Sequence, residues 1–129
     1  MSAYERVQVT ASPPAVLAAL RQVLEEHGLI EYAVVDHGHD MAAAGAPGFV
    51  AWTVIFGNPA GGAKLLAREL TAAVDIPLHL AVVPATDGAE IILRDMRTLL
   101  SAECKEIADA FTGVLREVAE QTRERATTA

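Results

Sequence analysis

One cysteine, Cys104, leaves no partner for an intramolecular disulfide and no second thiol for a CxxC redox or zinc pattern. A reducing, cytoplasmic setting is the expectation. Aromatic side chains are equally scarce, six in all, although 52% of the chain is hydrophobic and 25 residues are alanine. No apolar run approaches the roughly 18–20 residues of a membrane span, and residues 1–6 lack the basic start and apolar stretch of a secretory signal. No membrane partner is expected. Basic residues are outnumbered, 10 against 17 acids for a net charge of −7, and they are scattered along the chain. Nucleic acid, which needs clustered Lys and Arg, is therefore excluded as a partner. There is no stretch of Pro, Gly or Ser long enough for a linker, no repeat, and no phosphate-loop or dinucleotide glycine pattern.

What remains is a length of 129 residues, enough for one domain with a self-sufficient core. Residues 4–9 alternate as a strand, and Ser12-Pro13-Pro14 reads as a helix start that Gly28 ends. Residues 29–36 form a second strand. Residues 40–45 suit a short helix, and residues 49–56, apolar at nearly every position, predict a central strand covered on both faces. The periodicity of residues 63–73 predicts a helix. Residues 78–84 and 89–96 predict an antiparallel hairpin around Asp87-Gly88, and residues 101–125 an amphipathic terminal helix whose last residues, 126–129, fray. The order is strand, helix, four strands, helix, a two-layer α+β domain with an antiparallel sheet.

Four segments then resemble a known family. Val35-Asp36-His37, Ala42 to Gly45, Val54-Ile55-Phe56-Gly57-Asn58-Pro59 and Asp75-Ile76-Pro77-Leu78 match, in order and spacing, motifs of the domain-of-unknown-function 302 family. The similarity covers roughly residues 5–100, within a single domain spanning 1–129. It implies a TATA-box-protein-like fold with the same element order. Two loops depart from the family pattern, at Val50-Ala51-Trp52-Thr53 and at Gly62-Ala63-Lys64-Leu65-Leu66, which implies a different ligand if those loops line a site. No reaction is implied.

Among polar groups, Asp36-His37-Gly38-His39-Asp40 is the densest cluster. On a strand end, His37 and His39 project from one face, and an imidazole beside a carboxylate can exchange protons near neutrality. The alternative is that Asp36 accepts turn hydrogen bonds while His39 or Asp40 caps the short helix. A metal site is conceivable, because the segment offers two imidazoles and a carboxylate towards the three or more ligands a metal needs, but Gly38 weakens the extended geometry; no metal and no cofactor is assigned. Asn58 can polarise a substrate oxygen or fold back on its own loop, with Pro59 starting the next helix. Lys64 follows the glycines of that loop, and Asp75 sits where the chain turns into the hairpin. His79 alternates away from Leu78, Leu80 and Val82, onto the outward sheet face with Arg94.

That outward face is too apolar for water, since Ala81, Val83 and Ile92 share it. A homodimer or a bound small molecule is expected to cover it. The reading is a small-molecule-binding domain, with His37, Asp36, His39 and Asn58 as catalytic candidates and Asp40, Lys64, Asp75, His79 and Arg94 as ligand-binding candidates. One alternative is a cofactor-independent enzyme moving a proton on a carbonyl or phenolic substrate. A protein–protein interaction module is the other.

Overall fold

Ser12 accepts a hydrogen bond from the Ala15 N–H, and Pro13 and Pro14 occupy the first helical positions, so the first helix begins where its unpaired donors cost least. Gly28, at φ +67°, lets the chain reverse after it. In the computed structural model, which describes residues 3–128, the order is β1 (Tyr4–Val9), α1 (Pro13–Glu26), β2 (Ile30–Asp36), α2 (His37–Ala43), β3 (Trp52–Gly57), α3 (Pro59–Arg68), β4 (Leu78–Ala85), β5 (Gly88–Arg94) and α4 (Lys105–Thr128). Single 3-10 turns lie at Leu70–Asp75, Met96–Thr98 and Ala102–Cys104. All five strands pair antiparallel in the order β1-β5-β4-β3-β2.

The sheet buries one face. Along β4, Leu78, Leu80 and Val82 are buried while His79 is exposed and Ala81 and Val83 are half-buried; β5 repeats the pattern with Ile91 and Leu93 against Ile92 and Arg94. Helices α1 and α4 pack on each other and cover the buried side, closing the core with Val16, Leu20, Val23, Leu24, Leu115 and Val118. Cys104 lies in this core with no exposed surface, its thiol directed at Glu69 Oε2 (3.8 Å).

Several boundaries differ from the sequence expectation. The third strand starts at Trp52, not at residue 49, because residues 44–51 fold back over α2: the His37 N–H bonds the Ala51 carbonyl, and a Cβ on Gly38 would lie 2.3 Å from the Phe49 carbonyl oxygen. Phe49 and Val50 are accordingly exposed. The third strand is interior, but β4 holds the middle, and the outward side of β3 is only half-covered. Helix α2 begins at His37 rather than at residue 40, and α3 runs from Pro59 to Arg68 with a 3-10 turn in place of the helix expected through residue 73. Helix α4 extends through Thr128, past residue 125 where the sequence expectation ended it; residue 129, like residues 1 and 2, lies outside the described residues. Trp52 packs against the core from the helix side.

Candidate functional site

The Asp36–Asp40 segment is helical, which changes what its side chains can do together. Asp36 is the N-cap of α2, its carboxylate accepting from the His39 N–H at 2.9 Å. On a helix, positions two apart point to opposite sides, so His37 and His39 do not share a face. His37 turns onto the outward sheet face, where its Nε2 lies 2.7 Å from Thr53 Oγ1, while His39 and Asp40 are exposed. Among the described residues no imidazole hydrogen-bonds a carboxylate, and no group of three His, Cys, Asp or Glu side chains is placed to hold a metal ion. Capping of the short helix thus falls to Asp36, not to His39 or Asp40.

Asn58 lies at the other end of β3, roughly 20 Å from His37 at about 3.3 Å per strand residue. His79 pairs with Ile55 on the outward face. Of the four groups on which proton transfer would depend, His37 and His79 share the outward sheet face, but Asp36 is committed to the cap of α2 and Asn58 to that of α3, so the four do not converge on one cavity.

Three other expected residues do meet. Asp75, His79 and Arg94 line a small outward-facing cavity of about 340 Å³ floored by Ile55, Ile76, Pro77 and Leu99. Arg94 stacks over the Tyr4 ring at 4.5 Å from its centroid. The side chains of Asp75 and His79 make no hydrogen bond or ion pair among the described residues, so the Asp75 carboxylate does not cap the turn at which it sits.

The larger space is on the opposite side of the cis Ile76–Pro77 peptide, between α3, α4 and the ends of β3 and β4. It has a volume of about 930 Å³. Gly57-Asn58-Pro59 forms one wall, Ile76-Pro77-Leu78 a second, and Ile107, Phe111 and Val114 of α4 a third; Leu29, Tyr32 and Leu66 complete the apolar lining. Its polar side chains are few, namely Asn58, Lys64, Arg68, Glu106 and the hydroxyl of Tyr32. Asn58 caps α3 with its Oδ1 on the Ala60 N–H at 3.0 Å, and Pro59 is the first helical residue. Two glycines follow inside the helix, and they keep the wall low: a Cβ on Gly61 would touch the Phe111 ring at 3.3 Å, and one on Gly62 would reach Ile76 at 3.7 Å.

Sequence reasoning reached Asn58 and Lys64 only as candidates alongside residues 36–40, which the fold separates from this cavity. It missed Tyr32, Arg68, Ile107 and Phe111 as wall residues. A signal existed for two of them. Arg68 follows Lys64 at i+4 on one helix face, and the apolar stripe of α4 is wider than the core needs, leaving Ile107 and Phe111 only half-buried.

The one strongly shifted acid is structural. Asp95, 2% exposed, receives the Arg97 side chain at 2.8 and 2.7 Å and the Arg97 backbone N–H at 3.0 Å, and these bonds hold its carboxyl at about 2, below the ordinary 3.8, against the opposing effect of burial.

Comparison with known proteins bears on fold and family. The family described as "Domain of unknown function DUF302" matches residues 5–127, which extends the likeness through α4. A solved structure, the uncharacterized conserved DUF302 protein from Bacillus stearothermophilus, superposes with a TM-score of 0.88 at 17% identity, covering 95% of this chain and 100% of that one. No curated protein matches the chain.

Proposed function

This chain belongs to the DUF302 family, a family of unknown function, and from that premise we propose that it is a small-molecule-binding domain whose ligand occupies the cavity between α3 and α4. The observation that carries the reading is convergence. Two of the four segments by which the chain resembles its family, Val54 to Pro59 and Asp75 to Leu78, are apart in the chain, yet their Phe56-Gly57-Asn58-Pro59 and Ile76-Pro77-Leu78 form adjoining walls of one space. A volume of about 930 Å³ lies within the range of organic-ligand sites, roughly 300–1,000 Å³, and the lining is mostly apolar with a few polar groups at defined points, as such sites are. The outward sheet face supports a second element of the proposal, a homodimer. Ile55, Ala81, Val83 and Ile92 are half-buried there, and Val74, which lines the same outward cavity as Ile55, is 85% exposed, so association would remove apolar surface from water.

The test uses the neutral fluorophore 1-aminoanthracene. The protein should take it up with an enhanced, saturable emission, and Ala110→Trp, which places an indole into the cavity from an exposed position of α4, should weaken uptake at least tenfold without lowering thermal stability. Undiminished binding by that variant would remove the cavity from consideration.

A further inference from the structure

Electrostatics at the cavity mouth narrow the class of ligand, on the footing that the cavity is the binding site. Most of the bases in this acidic chain are neutralised at close range: Arg6, Arg21, Arg97, Arg116, Arg123 and Arg125 each pair with a carboxylate, six of the ten Lys and Arg residues. Among the described residues, Lys64 and Arg68 do not. Both line the cavity, one helical turn apart on α3, where like charges at i and i+4 oppose helix formation. The single carboxylate of the lining, Glu106, comes from α4 and lies beyond ion-pair distance of either, so the mouth carries two cations against one anion. Asn58 adds a donor. Its Oδ1 is committed to the Ala60 N–H, which leaves its NH2 available at the same wall.

We propose that the ligand is an amphipathic organic acid, its apolar body held against Ile107, Phe111, Ile76 and Leu66 and its carboxylate at Lys64 and Arg68. The planar guanidinium of Arg68 suits a carboxylate bidentately, and the ammonium of Lys64 can approach from the preceding turn. Cations on an exposed helix face attract an anion weakly by themselves. Next to a large apolar lining they select among ligands that burial already favours.

The experiment compares three probes of equal chain length, decanoate, decanol and decylamine, as competitors of 1-aminoanthracene. Decanoate should compete at least tenfold more tightly than decanol, and decylamine worst of all. In Lys64→Gln/Arg68→Gln, two exposed positions whose change leaves the core intact, decanoate should fall to the level of decanol while decanol is unchanged. The preference should also shrink as salt is raised, since the contacts are solvent-accessible. Equal binding of decanoate and decanol by the unaltered protein, or a decanoate preference that survives in the double variant, overturns the acid assignment while leaving the cavity reading standing. Displacement by none of the three, with the fluorophore still bound, overturns it likewise. Failure of the fluorophore to bind removes the cavity reading and the acid assignment together.

Discussion

Asp95 and Gly88 illustrate how much single residues decide here. Asp95 is buried and bound to Arg97 through three hydrogen bonds, and its carboxyl is held at about 2. A depressed carboxyl stabilises the fold fully above its ordinary value near 3.8, and that contribution disappears as pH falls toward 2. Asp95→Asn should therefore cost on the order of 1–2 kcal/mol at neutral pH, reduced from the full linkage value because Arg97 is partly solvated, and should flatten the acid limb of a denaturation profile between pH 4 and 2. An unchanged acid limb in urea titrations at those pH values would show that the pair contributes nothing. Gly88 opens β5 at φ +147°, where a Cβ would lie 2.4 Å from the Val9 carbonyl oxygen and 2.7 Å from that of Ala11. Both obstacles are backbone. Gly88→Ala should destabilise by about 2–4 kcal/mol, a loss measurable as a lower urea midpoint.

At the scale of elements, α3 joins stability to the site. Its cap and its wall are the same residue, Asn58. Asn58→Ala should cost about 1 kcal/mol of stability, whereas Asn58→Asp keeps an acceptor for the Ala60 N–H and should fold as well as the parent while binding decanoate more weakly. Gly62 offers the reverse trade. A methyl there meets only Ile76 at ordinary contact distance, so Gly62→Ala should gain about 0.5–1 kcal/mol, read as a melting temperature a few degrees higher, and should narrow the cavity. Helix α4 departs from the simple picture of a solvated face with internal i to i+4 pairs. Arg116 pairs with Glu5 of β1 and Arg125 with Glu26 of α1, so its charges clamp it across the sheet and to its neighbour, and among the described residues only Arg123, with Glu120, forms an ion pair within the helix.

For the whole molecule, the sheet has two unlike faces and a cavity belongs to each. The helix-covered face carries the core, and Leu80→Ala, which opens a void in the middle of it, should cost about 2–5 kcal/mol. The bare face carries the prediction of self-association. Sedimentation should show a dimer that Ala81→Glu, at the centre of that face between Thr53 and Ile92, converts to a monomer with unchanged circular dichroism; a parent protein that sediments as a monomer would end the dimer proposal. The described helices include none long and apolar enough to cross a membrane.

Local chemistry in the sequence determined the element order. The Ser12-Pro13-Pro14 start and Gly28 end of α1, the alternation of β1, β4 and β5, and the turn before Gly88 depend on near neighbours, and the fold class follows from that order. The outward placement of His79 was legible for the same reason, since alternation has a period of two. Where a segment could satisfy its backbone in two ways, only tertiary structure decided. The apolar run at residues 49–51 reads as strand, but the close approach of the Phe49 carbonyl to Gly38 keeps it as loop, and Asp36 caps a helix that begins early enough to turn His37 away from His39. The cavity was beyond sequence reasoning for a related cause. Its walls come from segments brought together by β3–β4 pairing and by the docking of α4, and no local pattern carries their separation, so Lys64 and Asn58 could be singled out as polar groups but not assigned to a space with Arg68 and Phe111.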